Sequence, residues 1–216
     1  MNKLTSHLNP YAIELCTLAR FISDRQWAPA GSGSISFRTN DRQALMTPSF
    51  KLKAELSPAD LTQFHWQCET PAEIESLEDI HRLIYQAVPN TRIILHIQSW
   101  QALVFGRLVH SSQYDCPGYQ FPIDCSTETP TLQLQIIDST SDSTTLAQAI
   151  TRSSGALLIR SQGLFLWLED AALAKHWLEA WDFVLHTELE WHKHRGINPA
   201  LLDPLLLKTA ATQDCN

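Results

Sequence analysis

The chain has 216 residues, 44% hydrophobic and 18% charged, a composition that suits one globular domain with a sizeable core. A formal net charge of -7 argues against a nucleic-acid partner, because phosphate backbones are met by basic faces. No run approaches the ~20 apolar residues that span a bilayer, and the start MNKLTSHLNP lacks an apolar secretory stretch, so a cytoplasmic protein without a membrane partner is expected.

In chain order, Asn9-Pro10 reads as a helix start, a capping side chain followed by proline at the first helical position. Tyr11, Leu15, Leu18 and Phe21 then recur at helical spacing. Residues 28–34, rich in Gly and Ser, form a turn into the alternating strand Ile35-Ser36-Phe37-Arg38, and residues 44–47 pair with it. Ser57-Pro58-Ala59-Asp60 has capping-box form. From Glu75 to Val88 the set Leu77, Ile80, Leu83, Ile84 and Ala87 marks an amphipathic helix. A β-rich run follows at residues 92–97, then a short helix through Trp100, Leu103 and Val104. Leu132, Leu134 and Ile136 alternate as a strand, and a helix is expected over residues 146–150. Residues 156–159 and 164–167 are strands broken by Ser161-Gln162-Gly163. A long last helix carries Leu173, Trp177, Trp181, Val184 and Leu185 on one stripe. Helices over a largely antiparallel sheet make an α/β/α sandwich, here one domain over residues 1–195 with a tail over 196–216.

Five cysteines, Cys16, Cys68, Cys116, Cys125 and Cys215, are scattered without a C-x-x-C pair and read as reduced thiols. Trp27, Trp100, Trp177 and Trp181 are expected in the core, with subunit contacts as the alternative. His96 and Gln98 alternate on one strand, so their side chains share a face; H-x-H in that place would put two imidazoles on one metal. Taken alone, His96 reads as a hydrogen-bonded core or rim histidine. The Gly31–Ser34 turn is suited to presenting N–H groups to a phosphate, although a plain turn before a strand is the simpler reading. His186, Glu190 and His194 share a helix face with His192 nearby, and a solvated last turn favoured by the helix dipole explains them better than zinc does.

The order of these pieces carries a resemblance. Residues 27–38, W-A-P-A-G-S-G-S-I-S-F-R, resemble W-x-P-A-T-S-G-N-x-S-x-R of methylthioribulose-1-phosphate dehydratases, in the class II aldolase/adducin family. Thr47–Lys53 is similar to that group's S-G-x-D-K-G stretch. His81-Arg82-Leu83-Ile84-Tyr85 and Ile94–Ser99 resemble H-x-x-I-Y and A-V-L-H-x-H-[ST]. Gly118-Tyr119-Gln120 resembles G-Y-E, and residues 161–167 resemble G-H-G-L-x-x-W-G. The likeness covers residues 10–195.

It implies a cyclic tetramer with active sites between subunits, and zinc held by three histidines to polarise a ketone while a glutamate moves the proton. The T-S-G-N and S-G segments would cradle the phosphate, placing Ser32, Gly33 and Ser49 there. By position, His96 keeps the first zinc ligand, whereas Gln98 and Gln162 stand at the other two. Gln120 stands at the acid/base glutamate, and Ile123 near where a lysine often follows it. Phe50 replaces a glycine and is expected to crowd the anion. The aldolase relatives' glutamate falls on Leu77, one step from Glu78.

Amide oxygens are poor zinc ligands beside imidazole, and Gln120 cannot accept a proton. The expectation is therefore a metal-free, catalytically inactive homologue that binds a small phosphorylated sugar or assembles as a homo-oligomer. The alternative is a working, zinc-dependent sugar-phosphate dehydratase or aldolase of methionine salvage with an altered site. His65 and His110 are the only further histidines named for a rebuilt metal site, and neither falls at a ligand position.

Overall fold

A computed structural model describes residues 9–69, 72–116, 119, 132–138, 142–150 and 155–195. Gln120, Ile123 and the tail expected at 196–216 lie outside these described residues. Five helices are described: α1 (Pro10–Asp24), α2 (Leu77–Ala87), α3 (Trp100–Leu108), α4 (Ser143–Ala149) and α5 (Ala174–Arg195). Eight strands are β1 (Ser34–Arg38), β2 (Gln43–Met46), β3 (Thr62–His65), β4 (Ile93–Ile97), β5 (Gln113–Cys116), β6 (Leu132–Ile137), β7 (Gly155–Ile159) and β8 (Gly163–Leu168).

The strands form one sheet in the order β3-β2-β1-β4-β8-β7-β6-β5. Every described pairing is antiparallel except β6 with β7, which is parallel. Strand alternation sorts side chains to the two faces. Ile35, Phe37, Ile93, Leu95, Ile97, Leu164, Leu166 and Leu168 pack with α1, α3 and α5. Ile94, Leu157, Ile159, Phe165 and Trp167 pack with α2 and α4 on the other face. The expected sandwich and its mostly antiparallel sheet are both present.

Local chemistry sets the helix starts. Asn9 Oδ1 accepts from Tyr11 N at 3.0 Å with Pro10 at the first position. Ser76 and Asp79 form a reciprocal capping box that starts α2 two residues after Glu75. The Ser57/Asp60 box is also formed, around a short 3-10 turn over Pro58–Asp60.

Two readings need correction. The α3 residues Trp100 and Val104 face outward, 51% and 38% exposed, because the helical period turns Ala102, Phe105 and Gly106 to the sheet instead. Trp100 is thus not a core residue, while Trp27 and Trp181 are buried and Trp177 is half-buried. Strands β3 and β5 were not expected; both are edge strands, T-Q-F-H and Q-Y-D-C, each with one buried residue. Cys16, Cys68 and Cys116 are free thiols, and burial pushes the Cys116 thiol up to about 12. No helix among the described residues is long and apolar enough to cross a membrane.

Candidate active site

Three neighbouring strands at the middle of the sheet, β1, β4 and β8, bring the expected site residues together. His96 sits on β4 opposite Ser34 of β1 and Phe165 of β8. Its ring stacks on Phe165, centroids 4.1 Å apart and 3° from parallel. Gln98 follows the end of β4, fixed by its N–H donating to the Trp27 carbonyl at 2.8 Å. Gln162 lies in the tight β7–β8 turn, where its N–H donates to the Ile159 carbonyl at 3.0 Å. Gly163 permits this closeness: it holds φ +114, and a Cβ there would lie 2.2 Å from the Ile97 carbonyl oxygen and 3.2 Å from Gln98 Cγ.

His96 is bonded in a way that motif spacing does not reveal. Its Nε2 lies 2.8 Å from the backbone carbonyl of Gln162, an acceptor, so Nε2 carries the proton. The ring's remaining lone pair is then on Nδ1, which is buried and has no hydrogen-bond partner among the described residues. Burial pushes the His96 pKa down to about 4; the Gln162 carbonyl opposes this and the Lys53 ammonium adds to it. The imidazole is neutral at physiological pH.

Behind His96 runs a buried polar chain. His81 Nε2 is 2.8 Å from Ser34 Oγ and its Nδ1 is 2.6 Å from Ser36 Oγ. Ser36 Oγ is in turn 3.0 Å from the Tyr85 hydroxyl. The S-x-S spacing of β1 puts both serines on one strand face, and His81 and Tyr85 share a helix face at i, i+4. Burial, with His96 adding to it, pushes His81 down to about 3. In the sequence, His81 and Tyr85 stand only as letters of the H-x-x-I-Y likeness; the two matched periodicities are the signal that pairs them with Ser34 and Ser36.

The two segments assigned to phosphate binding also meet. A Cβ on Gly31 would lie 2.9 Å from the Phe50 carbonyl carbon, so the turns touch backbone to backbone. Ser32 Oγ is buried without a partner among the described residues, Gly33 is buried at φ +72, and Ser49 is exposed. Phe50 is 92% exposed, and its backbone lies at φ +62, where a glycine would sit without strain. Lys53, given no role from sequence, lies beneath both turns, 2% exposed. Its ammonium donates to Gly31 O at 2.9 Å, Pro48 O at 3.2 Å and Lys51 O at 3.3 Å, and burial pushes its pKa down to about 8.

Other expected participants stand apart. Glu78, the carboxylate nearest the aldolase position, is paired with Arg82 at 2.6 Å. His65 and His110 are exposed, on β3 and after α3. His186 meets Trp100 edge-on at 5.7 Å, and Glu190 is paired with Lys193. Tyr119 donates to Glu188 at 2.8 Å, tying the residue before Gln120 to α5.

Zinc does not fit this donor set. Of the three positions that would hold it, one carries an imidazole whose Nε2 proton goes to a carbonyl, and two carry neutral amides. Among the described residues, no group of three or more His, Cys, Asp or Glu is placed to hold a metal ion.

The fold agrees with the comparisons. Residues 13–189 match the Class II Aldolase and Adducin N-terminal domain, and the chain belongs to that family. Within it, the methylthioribulose-1-phosphate dehydratase of Enterobacter sp. (strain 638) is 27% identical over 187 residues, covering 81% of this chain and 92% of that protein. The dehydratase of the same name from Stenotrophomonas maltophilia (strain R551-3) is 28% identical over 204 residues, covering 89% and 96%. Among solved structures, an L-fuculose-1-phosphate aldolase from Thermus thermophilus superposes with a TM-score of 0.64 at 20% identity, over 83% of this chain and 94% of that one.

Proposed function

We propose that this chain is a homologue of methylthioribulose-1-phosphate dehydratase that works without zinc and without dehydratase activity, as a binding or assembly protein. One observation carries the reading: His96, the retained ligand position, donates its Nε2 proton to the Gln162 backbone carbonyl and is stacked on Phe165. With Gln98 and Gln162 as its neighbours, no Lewis acid is held to acidify a C–H beside a ketone. The buried Lys53 ammonium beneath the turns around Ser32, Gly33 and Ser49 supports an oxyanion ligand, a small phosphorylated sugar by class. The partner is a second copy of the chain, and the exposed α3 stripe of Trp100, Val104 and Leu108 is the kind of surface that such contacts use.

The competing reading is a working dehydratase with an altered site, favoured by 27% identity across 92% of a relative of that name. Both are tested on purified protein loaded with excess zinc and dialysed, by metal analysis and by turnover of methylthioribulose 1-phosphate. The proposal expects well below one zinc per chain and no turnover. Stoichiometric zinc with turnover at ordinary enzymatic rates would reverse it.

A further inference from the structure

We infer that Lys53 is the positioning residue of an oxyanion site, the buried cation that orients the Pro29–Gly31 and Pro48–Lys51 turns and places positive charge beneath them. This rests on the reading above that the cradle still takes a phosphorylated or similar oxyanion ligand.

The geometry begins with the ammonium. Its three N–H donors meet three backbone carbonyls, those of Gly31, Pro48 and Lys51, so its hydrogen-bonding capacity is filled. The charge itself is not neutralised: among the described residues no carboxylate forms an ion pair with Lys53, and nearby Asp60 is paired with Lys51. A buried, carbonyl-solvated cation is costly unless something benefits from its field.

Peptide planarity supplies the next step. In a trans peptide the C=O and the following N–H point in opposite directions. Carbonyls drawn inward at Pro48 and Lys51 therefore turn the N–H groups of Ser49 and Leu52 away from Lys53. Neither N–H makes a backbone hydrogen bond among the described residues. Left-handed backbone recurs in the same two turns, at Ala30, Gly31, Gly33 and Phe50, a conformation that turn N–H groups adopt when they bind anions. The buried, unpartnered Ser32 Oγ lies in the same turn. Two of those left-handed residues, Ala30 and Phe50, carry a Cβ and are strained there, and the three-way carbonyl clamp is what holds them.

The charged and titratable groups of the surrounding elements are Cys16 and Arg20 on α1, Lys51, Glu55 and Asp60 around the second turn, and His96 on β4. Hydrogen bonds from Lys51 and Ser57 hold Asp60 well below the usual carboxylate range, and burial raises the Cys16 thiol. His96 is neutral above pH 5. Lys53, near 8, is the group whose charge changes between pH 7 and pH 9.

The test is calorimetric titration of the full chain with sulfate, which stays doubly charged over this range. Wild type should bind at pH 7 and lose about fivefold in affinity by pH 9, as Lys53 gives up its proton. Lys53→Met should weaken binding at least about tenfold and remove the pH dependence, while Lys53→Arg, which keeps the charge, should recover part of the affinity. If Lys53→Met does not fold, the wild-type pH series decides alone. Sulfate binding with no loss between pH 7 and pH 9, or unchanged in folded Lys53→Met, overturns the role of Lys53 and leaves the anion reading standing. No sulfate binding by wild type at either pH overturns both.

Discussion

The Nε2 of His96 and the backbone carbonyl of Gln162 are 2.8 Å apart, and that bond consumes the proton-bearing nitrogen of the one imidazole at the three ligand positions. Because the acceptor is a main-chain group, the bond is independent of the side chain at 162. Restoring imidazoles gives a direct test of what the amides changed. Gln98→His with Gln162→His is expected to raise zinc affinity at least ~100-fold over wild type, since two new imidazoles join the lone pair that His96 keeps on Nδ1. Competition against a chelating dye would measure it, and affinity equal to wild type would show that the surrounding strands no longer permit a metal.

A second expectation concerns acid. His81 and His96 have folded pKa values of about 3 and about 4, below the ordinary value of 6.5. Their contribution is therefore fully present above pH 6.5 and is lost as pH falls toward 4, because the unfolded chain takes up protons that the folded chain refuses. Each histidine adds a slope of up to about 1.4 kcal/mol per pH unit in that window. Urea unfolding at pH 7, 5.5 and 4.5 should show a steadily falling midpoint. A flat midpoint over this range would mean that both rings take up protons in the fold as they do in the unfolded chain.

Gly163→Ala should be severely destabilising. The residue sits at φ +114, and the new methyl would meet the Ile97 carbonyl oxygen at 2.2 Å, backbone that cannot move without parting β4 from β8. A loss of roughly 3 kcal/mol or more is expected. A thermal midpoint within a few degrees of wild type would contradict that picture.

Arg160 joins elements distant in sequence. Its guanidinium donates to the carbonyls of Gly106, Val109 and Ser111 and pairs with Asp138, at 2.8 to 3.1 Å. Arg160→Met leaves three carbonyls at the end of α3 without this donor and should cost about 2–3 kcal/mol. Asp138→Asn, at a carboxylate 88% exposed, should cost under about 1 kcal/mol. Similar losses from the two variants would assign the stability to the ion pair rather than to the carbonyl cap.

Much of the architecture was legible because it rests on periodicity. Alternation in β1, the apolar runs of β4 and β8 and the helical spacing of Leu77, Ile80, Leu83 and Ile84 in α2 located those elements to within one or two residues. Strands β3 and β5 escaped, since an edge strand with one buried residue offers no alternation to read. Trp100 was misplaced because an aromatic ring at helical spacing reads the same whether the stripe faces a core or solvent. At the site, spacing brought His96, Gln98 and Gln162 together correctly. It could not disclose the His96–Gln162 bond, because every residue offers the same backbone carbonyl. Lys53 stood opposite the lysine of S-G-x-D-K-G, but that letter did not disclose its burial or its clamp on main-chain oxygens, since lysine is seldom buried.

The pairing of β4 with β8 has a consequence for how the molecule comes into being. Partners such as Ile97 and Leu164 meet only after some 65 intervening residues have been synthesised and arranged, and the parallel join of β6 to β7 lies within that stretch. Contacts of such long range are slow to form. The meeting of His96 with Gln162 is therefore among the last features to appear as the chain matures. A fragment ending at the close of α3 would carry His96, Gln98 and both turns held by Lys53 and still lack Gln162 and β8 until the missing half arrived.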